Sequence, residues 1–160
     1  MEKTLISVQR YLTGNDSTGA SVFLPADVTP PQMDLSGMHV SFCFGTSRWP
    51  ASLNGDEDLA DYQHLVENPP GIIIPNGCVF RMIDFPPGYT SPMHRTISVN
   101  FNTVIEGEME VIMDSGESRF LKRGDSIVQR AINHSWRNPS TSEWARISAV
   151  AFPAELSLKG

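Results

Sequence analysis

The amino-acid sequence predicts an all-β fold, an antiparallel β-barrel or jelly roll that carries N-terminal strands and one short helix. The first observation is that 12 prolines and 12 glycines separate short runs of β-branched and aromatic residues. The second is that many short strand patterns alternate with turn patterns, without a long break, from residue 71 onward. Strands that are short and numerous tend to close on themselves, since closure removes unpaired sheet edges.

The predicted strands follow the chain in order. The first part carries strands at 4–12, 20–24 and 39–44 with a turn at 13–19, and the two prolines of VTPPQ interrupt pairing because proline donates no ladder hydrogen bond. The second part carries strands at 79–85, 93–99, 101–106, 109–113, 120–121, 126–129, 134–137 and 144–152, with a hairpin turn at 114–117. We therefore divide the chain into residues 1–69, which pack on the barrel, and residues 70–160, which form the barrel, within one structural domain overall.

One stretch, NGDEDLADYQHLV, predicts a helix. Asp56 is a candidate N-cap, and acidic residues follow it in the first turn, where they favour the helix dipole. Leu59, Tyr62 and Leu65 recur on one face. The helix is expected to be short and to bury that face.

Length and charge argue against several classes of function. A chain of 160 residues with 40% hydrophobic content can bury one sizeable core. Its formal net charge is -6 without any basic run, so no nucleic-acid partner is expected. Its apolar runs are far shorter than the roughly 20 residues that span a bilayer, and its charged N-terminus lacks a signal segment, so we expect no membrane contact and an intracellular, cytoplasmic location. Cys43 and Cys78 have no metal-site spacing and are interpreted as buried free thiols, with a catalytic thiol as the alternative.

One segment of the barrel half carries a recognisable spacing. Gly88 is followed at fixed intervals by His94, Thr96, Asn100 and Gly107. This spacing resembles the first motif of the cupin superfamily, G-x5-H-x-H-x3-4-E-x6-G. Threonine replaces the second histidine of that motif and asparagine replaces its glutamate.

A second segment resembles the second cupin motif, in which Gly-Asp leads through a turn to a histidine and, four residues later, an asparagine. The chain has Gly-Asp at 124–125, then His134 and Asn138, with a gap one residue shorter than usual. Gln129 and Ala131 replace the proline and glycine common in that turn. The stretches DFPPGYTSPMHRT, GDSIVQRAINHSWRN and RYLTGNDSTG further resemble small single-domain cupins of fungi, some of them associated with polyketide and aromatic secondary metabolism.

The resemblance implies a pocket inside the barrel to which both motifs contribute. His94 and His134 are expected to face each other there as the catalytic pair. A usual cupin metal site has three histidines and one glutamate, of which this chain keeps two, so the cofactor is either none or one divalent transition metal, Fe, Mn, Ni, Cu or Zn. With a metal, Gln129 would join the two histidines as a weak ligand and Asn100 could add its carbonyl oxygen. In the structural alternative the histidines only form hydrogen bonds inside a filled barrel.

Other residues are candidates for binding substrate. Arg130 could bind a carboxylate or phenolate through two hydrogen bonds, and Arg81 has a similar standing, with Asp84 as a plausible partner. Trp136 has the same strand parity as His134, and an aromatic and thioether wall would suit a flat hydrophobic ligand. These side chains could equally be surface or core residues. The full predicted set is Thr96, Asn100, Phe101, Met109, Arg130 and Trp136.

Three functions are compatible with these residues. The first is an enzyme of lyase or isomerase type, in which two imidazoles transfer protons during dehydration, tautomerisation, decarboxylation or cyclisation of a polyketide or aromatic intermediate. The second is a metal-dependent oxidoreductase or dioxygenase, and the third is a non-catalytic protein that binds a hydrophobic metabolite. The expected partners are a small hydrophobic or aromatic substrate and a second copy of the chain, because N-terminal strands ahead of a barrel offer an edge for pairing.

Overall fold

The computed structural model describes residues 5–157, which form two packed antiparallel sheets, a separate hairpin and one helix. The helix, α1 (Glu57–Glu67), follows a 3-10 turn at Asn54–Asp56. The all-β prediction with one short helix is confirmed. The strands are β1 (Thr13–Asn15), β2 (Ser21–Phe23), β3 (Gln32–Leu35), β4 (Met38–Thr46), β5 (Cys78–Phe85), β6 (His94–Arg95), β7 (Ser98–Glu106), β8 (Glu108–Met113), β9 (Ser118–Lys122), β10 (Ser126–Arg130), β11 (Asn133–Arg137) and β12 (Ala145–Pro153).

The two sheets enclose the core. The six-stranded sheet has the order β10-β7-β12-β5-β4-β3, the four-stranded sheet has the order β6-β11-β8-β9, and β1 pairs with β2. Inward side chains of both sheets pack together because strand residues alternate between faces. The buried cluster consists of Phe85, Val104, Met109, Val111, Trp136, Ala145 and Ile147.

The N-terminal part of the chain contributes strands to the barrel itself. β4 pairs with β5 inside the six-stranded sheet, and β3 continues that sheet as its outer strand. α1 packs on β4 through the buried side chains Tyr62 and Leu65, and the Tyr62 hydroxyl donates to the carbonyl of Phe42 at 2.7 Å. The strands ahead of residue 70 therefore do more than pack on the outside of the barrel.

The first predicted strand is wrong. Residues 5–12 form no strand, and Thr4 lies outside the described residues. β1 instead occupies Thr13–Asn15, within the predicted turn. The reason is local, because the Asp16 carboxylate accepts hydrogen bonds from the backbone N–H groups of Thr18 at 2.8 Å and Ala20 at 3.0 Å. These bonds confine the turn to residues 16–20, so residues 13–15 of the predicted turn pair as a strand instead.

Two further details differ from the sequence-based expectations. Asp56 does occupy the N-cap position, but its φ of 58° is left-handed and its side chain makes no capping hydrogen bond. The predicted strand at 93–99 is divided between β6 and β7, because the N–H of Ser98 donates to the carbonyl of Thr96 at 2.9 Å in a tight bend.

None of the helices among residues 5–157 combines the length and apolar character needed to cross a bilayer.

A buried ion pair joins β5 to β12. Arg146 donates from Nη2 to Oδ2 of Asp84 at 2.8 Å, and the two side chains are 6% and 1% exposed. Arg146 also donates to the carbonyl of Ile6 at 2.9 Å, which attaches the N-terminal segment to the barrel. The expected pairing of Asp84 with Arg81 is wrong, because residues three apart on a strand lie on opposite faces.

Two motif positions are backbone requirements of the fold. Gly107 has a φ of 73°, and a Cβ placed there would lie 3.0 Å from the Cβ of Ala145. Ala131 has a φ of 50° at the position where this motif usually has glycine, so a non-glycine residue adopts a left-handed conformation there.

Asn138, the last residue of the second motif, is buried and donates from Nδ2 to the carbonyls of Phe85 at 3.1 Å and Glu143 at 2.9 Å. This asparagine therefore stabilises a turn and does not line the pocket.

The two cysteines are both free thiols, as expected. Cys43 is buried, and burial raises the pKa of its thiol because the thiolate is poorly solvated there. Cys78 is only partly buried. Neither of them lines the cavity described next.

Candidate functional site

A cavity of about 480 Å³ lies between the two sheets. Much of its lining is apolar and includes Met38, Val40, Ile83, Phe85, Trp136 and Ile147. Its polar and charged lining consists of His94 and His134 from the four-stranded sheet, Ser91, Thr96, and Asn100, Asn102, Gln129 and Arg81 from the six-stranded sheet. A mostly apolar cavity with a few convergent polar groups is typical of a small-molecule site.

Two imidazoles face each other at one side of this cavity. His94 on β6 is directly opposite His134 on β11, and their ring centroids are 4.4 Å apart. Nδ1 of His94 lies 2.9 Å from the carbonyl oxygen of Pro92, and Nδ1 of His134 lies 3.1 Å from that of Ile132. A carbonyl oxygen can only accept, so Nδ1 carries the proton in both neutral rings. Both Nε2 lone pairs are therefore left for a ligand or a proton.

The environment of His134 makes it a neutral base. The residue is 3% exposed. Burial lowers the pKa of His134 below the ordinary value of 6.5 because the charged ring loses solvation, while the hydrogen bond to Ile132 acts in the opposite direction and the neighbouring His94 lowers the pKa further. At neutral pH the ring of His134 is thus able to accept a proton.

The six-stranded sheet supplies hydrogen-bond donors to the cavity. Asn102 donates from Nδ2 to Oε1 of Gln129 at 2.8 Å, and Gln129 is 2% exposed. Nε2 of Gln129 is buried and has no hydrogen-bond partner within the part of the chain that the structure describes. A buried unpaired donor costs about 1–3 kcal/mol, so this amide is well suited to bind an acceptor oxygen of a ligand.

Most of the predicted site residues lie around this one cavity, and three do not. The lining includes His94, Thr96, Asn100, Gln129, His134 and Trp136. Phe101 is 49% exposed on the outer face of β7 and contacts Phe152, because it alternates with the inward Asn100 and Asn102. Arg130 is exposed for the same reason, since Gln129 before it points inward. Met109 is 0% exposed in the core and does not line the cavity, so none of these three residues lies in the cavity wall.

Part of the cavity wall was not predicted from the sequence. Met33 and Leu35 on β3 line it, and their alternation with polar neighbours in QMDL is a strand signal that could have identified them. The segment 70–72, after α1, also lines the cavity, and nothing in its local pattern indicates this position. Arg81, by contrast, was a candidate from the sequence, and as an inward residue of β5 it lines the cavity.

The donor set does not fit a usual cupin metal centre. Among residues 5–157 no group of three or more His, Cys, Asp or Glu side chains could hold a metal ion. Gln129, the predicted third ligand, has its oxygen bound to Asn102 and presents an N–H donor, which a cation does not bind. The described residues of the cavity therefore offer a metal two imidazole nitrogens and no anionic ligand.

Comparison with known protein sequences supports the family that the two motifs resemble. Residues 81–150 match the family model of the cupin domain. The chain is 40% identical over 148 residues to the phomopsin biosynthesis cluster protein D of Diaporthe leptostromiformis, across 91% of this chain and 78% of that protein. It is 41% identical over 131 residues to the cupin-domain-containing oxidoreductase virC of Hypocrea virens, across 81% of this chain and 66% of that protein.

The comparison of structures supports the fold. A cupin 2 conserved barrel domain protein from Salinispora arenicola superposes with a TM-score of 0.51 at 18% identity, across 78% of this chain and 82% of that one. This likeness shows the fold alone. Together with the sequence relatives, it shows that the chain belongs to the cupin superfamily, among the cupins of fungal secondary-metabolite biosynthesis clusters.

Proposed function

We propose that the protein is a small-molecule enzyme that transfers a proton on a polyketide or aromatic intermediate, as a lyase or isomerase. The observation that carries the proposal is the pair His94 and His134, two imidazoles with ring centroids 4.4 Å apart and both Nε2 atoms left for chemistry in an apolar cavity. The biosynthesis-cluster relative supports a small-molecule substrate. The lowered pKa of His134 supports its role as the base.

In this mechanism His134 takes a proton through Nε2 from a carbon next to a carbonyl group of the substrate. The bonding electrons move to the carbonyl oxygen and form an enolate, which the unpaired Nε2–H group of Gln129 stabilises by a hydrogen bond. The proton then returns from the imidazole pair to another carbon, which completes a tautomerisation, or to a departing hydroxyl group, which completes a dehydration. After the abstraction the added proton is on Nε2 of His134, whose ring centroid lies 4.4 Å from that of His94, so the second imidazole can relay it.

A metal-dependent oxidoreductase is the second candidate, and the name of the Hypocrea virens relative favours it. His94 and His134 would hold the metal through Nε2, since hydrogen bonds from Nδ1 to backbone carbonyls orient both rings as in many metal-bound histidines. The metal would supply the redox chemistry. The absence of an anionic ligand in the donor set favours the proton-transfer candidate over this one. A non-catalytic binding protein is the third candidate, supported only by the apolar lining.

Hydrogen–deuterium exchange into β-tetralone tests the proposed function, because this flat bicyclic ketone has an acidic carbon between its aromatic ring and its carbonyl. We expect protein treated with a chelator to accelerate the exchange above the rate in buffer, as measured by proton NMR. Exchange at the buffer rate would contradict proton transfer. Exchange that appears only after iron is added would favour the metal-dependent candidate.

The exchange rate should also depend on pH through His134. The ring acts as a base only when neutral, and its pKa lies below 6.5 because burial disfavours the charged form. The rate should therefore remain high below pH 6.5 and fall only as the pH passes through the lowered pKa. A profile of exchange rate against pH whose midpoint is at or above 6.5 would argue against His134 as the base.

We also propose that two copies of the chain form a homodimer. β3 is one of the two outer strands of the six-stranded sheet in the described part of the chain, and an outer strand presents backbone donors and acceptors to a second strand. Leu35 on this strand is 50% exposed, so pairing would also cover apolar surface. Light scattering at micromolar concentration should give twice the mass of one chain, and the mass of a single chain would contradict the dimer.

A further inference from the structure

Arg81 on β5 is a partly buried cation in the wall of the cavity. Its Nη1 donates to the carbonyl of Ile72 at 2.8 Å, and its Nη2 donates to the carbonyl of Gly71 at 2.5 Å. A guanidinium has five N–H donors, so three remain after these two bonds. One of them, Nε–H, is buried and has no partner within the described residues.

Within residues 5–157, no acidic side chain lies beside this cation in the cavity. None of the described residues that line the cavity is acidic, and Arg81 forms no ion pair within residues 5–157. The ring of Phe42, 5.8 Å from the guanidinium carbon, and the two carbonyls stabilise the charge only in part. Burial lowers the pKa of Arg81 because the charged group loses water, although an arginine remains charged at neutral pH. The cavity therefore favours an anionic ligand.

The strand register aligns Arg81 with the other donors of the six-stranded sheet. Arg81 is opposite Ala149 on β12, and Ala149 is opposite Asn102 on β7. Asn102 in turn holds the side chain of Gln129 on β10. Ala149 and Ala151 line the cavity with small side chains, which leaves room for a flat molecule between the guanidinium and the amides. We call Arg81, Asn102 and Gln129 the donor row.

We propose that the donor row binds a planar aromatic carboxylate, with Arg81 bound to the carboxylate group. The ring of the ligand packs on Ala149 and Ala151, and an oxygen at its far end accepts a hydrogen bond from Nε2 of Gln129. The other wall of the cavity then presents His94 and His134 to the ring. The inference rests on the proposed function, because it names the substrate class of the same cavity.

Arg81 has a structural role as well, because it ties the segment 70–72 to β5. Loss of that tie alone would weaken the binding of every ligand to a similar extent. Loss of a carboxylate-binding group would weaken the binding of anions selectively. A pair of probes with the same shape and different charge therefore separates the two roles.

Titration calorimetry with β-naphthoate and its neutral analogue β-naphthamide supplies this comparison. We expect the wild-type protein to bind naphthoate at least about tenfold more tightly than naphthamide, since charge-assisted hydrogen bonds in a partly buried site are worth at least that factor. Arg81→Met should lose this preference, because naphthoate binding should weaken by a larger factor than naphthamide binding. Arg81→Lys should keep part of the preference, because it keeps the charge and loses the planar fork. The matched control is Arg130→Met, which removes an exposed arginine outside the cavity and should change neither affinity.

Equal affinity of the wild-type protein for the two probes would overturn the inference, as would undetectable naphthoate binding or an Arg81→Met protein that keeps the preference. If Arg81→Met does not fold, the comparison of both probes on the wild-type and Arg81→Lys proteins still decides the question. His134→Ala should lose the exchange activity and keep the preference for naphthoate over naphthamide. This variant separates the two proposals, because it removes proton transfer and leaves the donor row in place.

Discussion

Replacement of His134 by alanine should lower the rate of β-tetralone exchange by a factor of about 10² to 10⁴, the usual contribution of a general base. The fold should remain intact, because the ring borders an existing cavity and its removal enlarges that space without opening a new void in the core. The carbonyl of Ile132 loses one hydrogen bond. The checks are proton NMR for the exchange rate and circular dichroism for the thermal midpoint, which should change little.

The matched control is His64→Ala. His64 is exposed on α1 and is not part of the cavity lining, so this variant removes an imidazole outside the site. Its exchange rate and thermal midpoint should equal those of the wild type. A His134→Ala protein that exchanges β-tetralone at the wild-type rate would remove His134 from the mechanism.

The histidine pair illustrates what sequence spacing can predict. His94 and His134 are 40 positions apart by their numbers, yet the two motif spacings place them on strands that the structure pairs directly. Strand parity also predicts that Trp136 shares a face with His134, and both line the cavity. Motif spacing and strand parity depend only on neighbouring residues, so predictions made from them hold wherever a strand is regular.

Other parts of the site depend on packing between elements that are distant in the sequence. Met109 has inward parity, but whether an inward side chain contacts the core or the cavity depends on its level along the barrel, which no strand pattern encodes. Arg81 and the segment 70–72 meet only because the chain after α1 returns beside β5. Phe101 is different, because its alternation with Asn100 was visible in the sequence and already indicated an outward position.

The double substitution Thr96→His and Asn100→Glu should create a strong metal site. Both positions line the cavity together with His94 and His134, so the variant would present three imidazoles and one carboxylate. Zinc sites with complete ligand sets bind with about 10 kcal/mol or more, and each 1.4 kcal/mol is a factor of ten, so we expect a dissociation constant below about 10⁻⁷ M. The wild-type protein, with two imidazoles, should bind zinc far more weakly. Calorimetry in competition with a chelator measures both affinities.

Zinc should also inhibit β-tetralone exchange by this double variant, because the ion would occupy the Nε2 lone pair that His134 needs as a base, and a chelator should restore the exchange. The control is Arg95→His with Phe101→Glu, which introduces the same ligand types one position away on exposed outward residues and should gain no zinc affinity. If the wild-type protein instead purifies with one equivalent of iron and loses all activity when the iron is removed, the imidazoles act as metal ligands. Proton transfer by the free pair would then be wrong, and the oxidoreductase candidate would replace it.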